Sequence, residues 1–110
     1  MKIDATTQLY CIFGNPVTHS LSPAMHNAAF NHAGINAVYL AFQPKSIAWA
    51  VDAMRNLGIR GSSVTIPYKV DVMNMCDRID DLARKIGSVN TLLNDAGTIH
   101  GFNTDGDRKS

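Results

Sequence analysis

The apolar residues of this chain change their repeat over and over, and each change falls at a glycine or a proline. That alternation constrains the fold most, because apolar residues at every second position make half-buried strands, whereas spacings of three and four make helices. Leu9 to Phe13 is a short apolar run halted by Gly14-Asn15-Pro16, and it predicts a first strand. Ser22-Pro23 then opens AMHNAAFNHA, with Ser22 as N-cap, Pro23 at the first helical position and Gly34 as the stop, predicting a helix over about 23–33. Ala37 to Phe42, rich in Val, Tyr and Phe and ended by Pro44, predicts a second strand. Ile47, Val51, Met54 and Leu57 trace one helical stripe between Ser46 and Gly58, and Trp49 lies off it.

The remainder continues in kind. Ser62 to Ile66 predicts a third, buried strand, and Pro67 then predicts a helix running to Met75. Ile79, Leu82, Ala83 and Ile86, stopped by Gly87, predict another short helix. Val89 to Leu93 and Thr98 to Phe102 flank Asn94-Asp95-Ala96-Gly97 as an antiparallel hairpin with Gly97 left-handed. The expected fold is α/β: a three-layer αβα sandwich with a mostly parallel sheet and an antiparallel hairpin at its edge. Ligands of such sheets sit outside the carboxyl ends of strands, which selects the loops at 14–22, 66–69 and 103–106.

The chain's 110 residues make one domain. Ten Lys plus Arg against nine Asp leave a charge of +1, with no basic cluster of the kind that nucleic acid requires. The opening MKIDATTQ lacks a leader's apolar run, and no stretch of ~18 apolar residues predicts a membrane span, so the expected location is cytoplasmic. Cys11 and Cys76 form no CxxC pair and read as buried free thiols. His26 and His32 miss the i, i+4 spacing of a zinc helix, so no metal is expected. There is no GxGxxG, and GFNTDGDRKS fails as a P-loop, so no cofactor site is expected either.

Three places carry chemistry. Ser20 and Ser22 stand at a helix mouth, where unpaired N–H groups and the macrodipole favour an anion such as a carboxylate; a plain N-cap and loop residue would look the same. Lys69 falls in the predicted first turn of the helix from Pro67, where the dipole disfavours a cation by ~0.3–1 kcal/mol. A lysine turned into a cleft there suits proton transfer, and one turned outward merely reaches water. Asp105, Thr65 and Asn90 lie near strand ends, as polar groups suited to a hydroxyl-rich ligand, although Asn103-Thr104-Asp105-Gly106 is also a self-sufficient turn.

In this order and spacing, GNPVTHSLSPAMHN at 14–27, SVTIPYK at 63–69, IGSVNTLL at 86–93 and GFNTDG at 101–106 resemble the N-terminal, substrate-binding domain of the shikimate dehydrogenase family. The resemblance implies that Ser20 and Ser22 hold the shikimate carboxylate and that Thr65, Asn90 and Asp105 bond its ring hydroxyls. It also implies that Lys69 is catalytic with Asp105 as partner, and that NADP is the cofactor, held by a Rossmann domain this chain lacks. Ser63 stands where the family usually has Asn, Ser88 where Ala is common, and Asp107 to Ser110 where the family starts an apolar connecting helix. The resemblance thus predicts the substrate-binding half of an NADP-dependent enzyme interconverting 3-dehydroshikimate and shikimate, inactive alone and open to self-association through surface the missing domain would cover. A non-catalytic shikimate-binding or assembly module is the alternative.

Overall fold

A computed structural model of the chain describes residues 2–107. Its elements run β1 (Gln8–Phe13), α1 (Ser22–Ala33), β2 (Ala37–Phe42), α2 (Ile47–Leu57), β3 (Gly61–Val64), a 3₁₀ helix (Asp71–Met75), β4 (Arg78–Ile79), α3 (Asp81–Ile86), β5 (Thr91–Asp95), β6 (Thr98–Phe102) and α4 (Thr104–Asp107). The strands form one sheet in the order β2-β1-β3-β5-β6-β4. Strand β1 lies parallel to both β2 and β3, β5 runs antiparallel to β3 and to β6, and β4 runs parallel to β6.

The expected mixed α/β architecture is what forms, with two corrections to the sheet. The antiparallel hairpin of β5 and β6 is interior, not at the edge, because the two-residue β4 pairs beyond it through Arg78 and Ile79. Ile79 therefore belongs to a strand, and the helix after it starts at Asp81 with the Asp80 carboxylate accepting from the Leu82 N–H at 3.2 Å.

Alternate residues of β1 face opposite layers. Cys11 and Phe13 join Ile47, Ala50, Val51 and Met54 of α2, with Val72, Ala83, Leu92 and Ile99, in the main core. Ile12 and Tyr10 turn the other way, to Tyr39, Ala41 and Phe30 of α1. Leu57, predicted on the buried stripe of α2, is exposed at its last turn. Ser46 does cap α2, accepting from the Trp49 N–H at 3.1 Å. Asn94 fastens the hairpin to this helix: its amide donates to the carbonyls of Met54 and Ile59, and its oxygen accepts from Gly97, whose φ of 96° needs glycine.

Helix α1 is held differently, since none of its residues is fully buried. The Asn27 side-chain amide donates to the Tyr39 carbonyl at 2.8 Å and accepts from the Tyr39 N–H at 2.7 Å. It thereby supplies the partners that the outer side of edge strand β2 would otherwise lack. Both thiols are free as expected, Cys11 buried and Cys76 half-buried.

Candidate functional site

Strand direction gathers the polar loops. Because β6 is antiparallel to β5 and β5 to β3, β6 runs the same way as β1 and β3. The carboxyl ends of β1, β3 and β6, and the start of β5, therefore share one end of the sheet. Backbone bonds lock that end: Thr65 N–H to Phe13 O at 2.9 Å, Asn15 N–H to Ile66 O at 3.0 Å, Val64 N–H to Asn90 O at 2.8 Å and Asn90 N–H to Phe102 O at 2.9 Å. All six residues expected from the sequence sit there.

Ser20 and Thr65 line a cleft of about 290 Å³ together with Ile12, Pro16, Val17, His19 and Ile66. The N-cap expectation for Ser22 needs correction. Helix α1 begins at Ser22 itself, its cap residue is Leu21, which makes no side-chain cap bond, and the Ser20 hydroxyl accepts from the Ser22 N–H at 3.2 Å. Ser20 thus does the capping, and Ser22 keeps its own hydroxyl free of that task. Gly14 permits the close packing of this wall, because a Cβ there would collide with the Thr65 methyl.

Lys69 does not lie in a helix. After β3 the chain makes a turn, with the Tyr68 N–H on Thr65 O at 3.0 Å, and regular structure resumes only as the 3₁₀ helix at Asp71. Tyr68 sets this path: it is drawn into the core, and its phenol donates to Pro44 O at 3.0 Å. The helix-dipole anomaly read from the sequence therefore vanishes. What Lys69 has instead is Asp105, whose carboxylate lies 3.6 Å from its Nζ, both side chains remaining well exposed to solvent.

Asp105 is carried by a braced turn. Its N–H donates to the Asn103 side-chain oxygen at 2.9 Å, and the Asn103 amide donates to the carbonyl and hydroxyl of Ser88. Asn90 accepts from the Thr104 N–H at 3.0 Å and donates to the Thr104 hydroxyl at 3.1 Å. Sequence reasoning took Asn90 for a ligand contact, yet its side chain is also the strut of the Asp105 turn. Lys69 and Asp105 are outside the walls of the Ser20 and Thr65 cleft; they stand at the same sheet end as a separate pair. His19 and Ile12, which line the cleft, were not singled out from the sequence, although His19 lies inside the 14–27 motif. Among the described residues no group of three or more His, Cys, Asp or Glu is placed to hold a metal ion, and no helix is long and apolar enough to cross a membrane.

A sequence profile of the shikimate dehydrogenase substrate binding domain matches residues 12–92. This chain belongs to that family. It is 51% identical over 109 residues to the shikimate dehydrogenase (NADP(+)) of Methanopyrus kandleri, covering 97% of this chain and 38% of that protein. Among solved structures it resembles shikimate 5-dehydrogenase of Listeria monocytogenes in complex with shikimate and NAD, with TM-score 0.92, 38% identity, and 97% of this chain and 38% of that one covered. The Thermus thermophilus shikimate 5-dehydrogenase in complex with NADP(H) and shikimate gives TM-score 0.86 at 35% identity, covering 90% and 38%. The chain spans about 38% of the length of these relatives.

A shikimate dehydrogenase substrate-binding domain at this identity has the α/β fold found here. The turn after β1 is not of the kind that closes on a dinucleotide pyrophosphate. A dinucleotide turn needs open space over glycine where backbone closes on the pyrophosphate, and at Gly14, the turn after β1, the Thr65 methyl fills that space. Arg108, Lys109 and Ser110, the polar tail noted in the sequence, lie outside the described residues.

Proposed function

We propose that this chain is the substrate-binding and catalytic half of a shikimate dehydrogenase, acting on shikimate and 3-dehydroshikimate. The observation that carries the reading is the Lys69–Asp105 pair, 3.6 Å apart, at the same sheet end as the Ser20 and Thr65 cleft. A surface pair of this kind contributes only about 0–1 kcal/mol to stability, so stability alone is a poor reason for bracing the Asp105 turn so heavily.

In this reading the Ser20 and Ser22 hydroxyls, at the positive end of the α1 dipole, hold the substrate carboxylate. Thr65, Asn90 and Asp105 take ring hydroxyls and thereby fix which ring carbon faces the lysine. Lys69 holds the proton at the reacting oxygen: it gives one to the carbonyl oxygen in the reductive direction and takes one from the hydroxyl in the other. Asp105 orients the ammonium. The relatives are named for NADP(+); a nicotinamide held by residues other than these would supply the hydride to the carbonyl carbon in the reductive direction and take it up in the other.

Titration with shikimate, followed by backbone NMR, tests the assignment: signals of Ser20, Ser22, Lys69 and Asp105 should shift. Shifts confined to other residues would refute it. The chain mixed with shikimate and NADP alone should give no nicotinamide reduction, and appreciable turnover would overturn the claim that it is half of an enzyme.

A further inference from the structure

Asn103, between β6 and α4, is one of two buried polar residues among the described residues, and only 5% of it is exposed. Both ends of its side chain are tied. The oxygen accepts from the Asp105 N–H at 2.9 Å, and the amide donates to the Ser88 carbonyl at 3.1 Å and to the Ser88 hydroxyl at 2.9 Å. The oxygen alone would make Asn103 an ordinary helix cap. Capping does not require the amide bonds, which reach 15 residues back along the chain to the loop before β5.

The next residue of that loop holds the other member of the pair. Val89, fully buried, donates its N–H to the Lys69 carbonyl at 2.8 Å. Lys69 and Asp105 therefore hang from adjacent residues, Lys69 from Val89 and Asp105 from Ser88 by way of Asn103. Their direct contact, 3.6 Å long and well exposed, is too weak to set their separation by itself. An exposed carboxylate on a short turn keeps its place only if the backbone beneath it is fixed, and a buried carboxamide satisfied at both ends is costly to release. Ser88, which stands where the family commonly has Ala, supplies one of these anchoring bonds through its hydroxyl.

We infer that Asn103 is a positioning residue for recognition of a substrate hydroxyl: anchored on Ser88, it holds the Asp105 backbone so that the carboxylate meets Lys69 and the ring hydroxyl together. The inference rests on the reading of Asp105 as a hydroxyl ligand. It adds a buried residue that acts through Asp105, and it gives the Ser88 hydroxyl a task.

The test is a double-mutant cycle. Shikimate binding is measured by NMR titration of the full 110-residue chain as the parent, Asn103→Ala, Asp105→Ala and the double variant. Asn103→Ala should weaken shikimate about tenfold, and Asp105→Ala at least as much. In the Asp105→Ala background the Asn103→Ala loss should shrink to less than about twofold, because the carboxylate that Asn103 positions is already gone. Asn103→Ser keeps an acceptor for the Asp105 N–H and gives up the Ser88 anchor. It carries the same cycle if Asn103→Ala does not fold, with a loss of about threefold expected only where Asp105 is present. A loss of the same size in both backgrounds would mark a merely structural role and overturn the inference, as would unchanged binding by the Asn103 variant. Failure of the parent to bind shikimate, or parent-like binding by Asp105→Ala, would instead overturn the reading of the site, and this inference with it.

Discussion

Lys69 Nζ stands 3.6 Å from the Asp105 carboxylate, although one residue follows β3 and the other follows β6, with the antiparallel β5 between those strands. The pairing is a product of sheet topology: only because β5 reverses do the two loops emerge at the same end. With side chains 36% and 52% exposed, the pair adds at most about 1 kcal/mol to stability. Its removal should therefore be silent in folding and loud in chemistry. Joined to the nicotinamide-binding domain of a relative, Lys69→Ala should lower kcat by about 10²–10⁴-fold with KM and the thermal midpoint nearly unchanged. A loss mainly in KM would make Lys69 a ligand contact and not the proton carrier.

Gly14 couples the fold to the cleft. Alanine there has its Cβ driven into the Thr65 methyl, and Thr65 cannot retreat freely because its N–H is tied to Phe13 O at 2.9 Å. Overpacking of this kind costs typically ~1–3 kcal/mol. Gly14→Ala should lower the urea midpoint and also weaken shikimate binding, whereas Gly14→Ala combined with Thr65→Ser, which removes the offending methyl, should recover most of the stability. No recovery in the double variant would show that the strain lies in the backbone.

Most strand and helix cores were legible because their signals are local. Ala37 to Phe42 was read to the residue, since a β-prone run lies between Gly34 and Pro44, and α2 was framed by the Ser46 cap and Gly58. What was misread depends on partners far along the chain. Arg78 and Ile79 form a strand only because His100 and Gly101 offer an edge. Pro67 looks like a helix start, but Tyr68 is drawn away to Pro44 O. At the site, residue types were visible, yet the strut from Asn90 to Thr104 follows from the pairing of Thr91 with Phe102, which no spacing rule supplies.

The two thiols should be sluggish nucleophiles. Burial pushes Cys11 from its ordinary 9.0 up to about 12 and, with Asp77 adding to it and Arg55 opposing, Cys76 up to about 11. The thiolate is the reactive form, and raised folded values mean that any stability from the neutral thiols is intact below pH 9, fades as pH rises above it and is lost as pH climbs through 11 and 12. At pH 8 a disulfide reagent should therefore modify native protein slowly, Cys76 before Cys11, and react with both at once in denaturant. Fast labelling of Cys11 in the native state would mean that the sheet opens at β1.

Asp77 gives the acid side of the profile. Its carboxylate accepts from the Ile99 N–H at 2.8 Å and from Arg55 at 3.1 Å, and Arg55 also donates to the carbonyls of Gly97 and Met75. Helix α2, the 3₁₀ helix and the start of β6 thus meet on one acid. The Ile99 N–H first, and Arg55 after it, hold the Asp77 carboxyl below the usual range. A depressed folded value means that the unfolded chain takes the proton more readily, so this contribution is full above about pH 4 and is lost as pH falls through the folded value. Asp77→Asn should have a lower urea midpoint than the parent at pH 7, and the gap should narrow as pH is lowered below about 4. Asp4, depressed by its bonds with Thr6, titrates in both proteins and cancels from the difference. A gap that stays constant from pH 7 to 3 would show that Asp77 acts through shape alone, with Asn lacking some contact unrelated to charge.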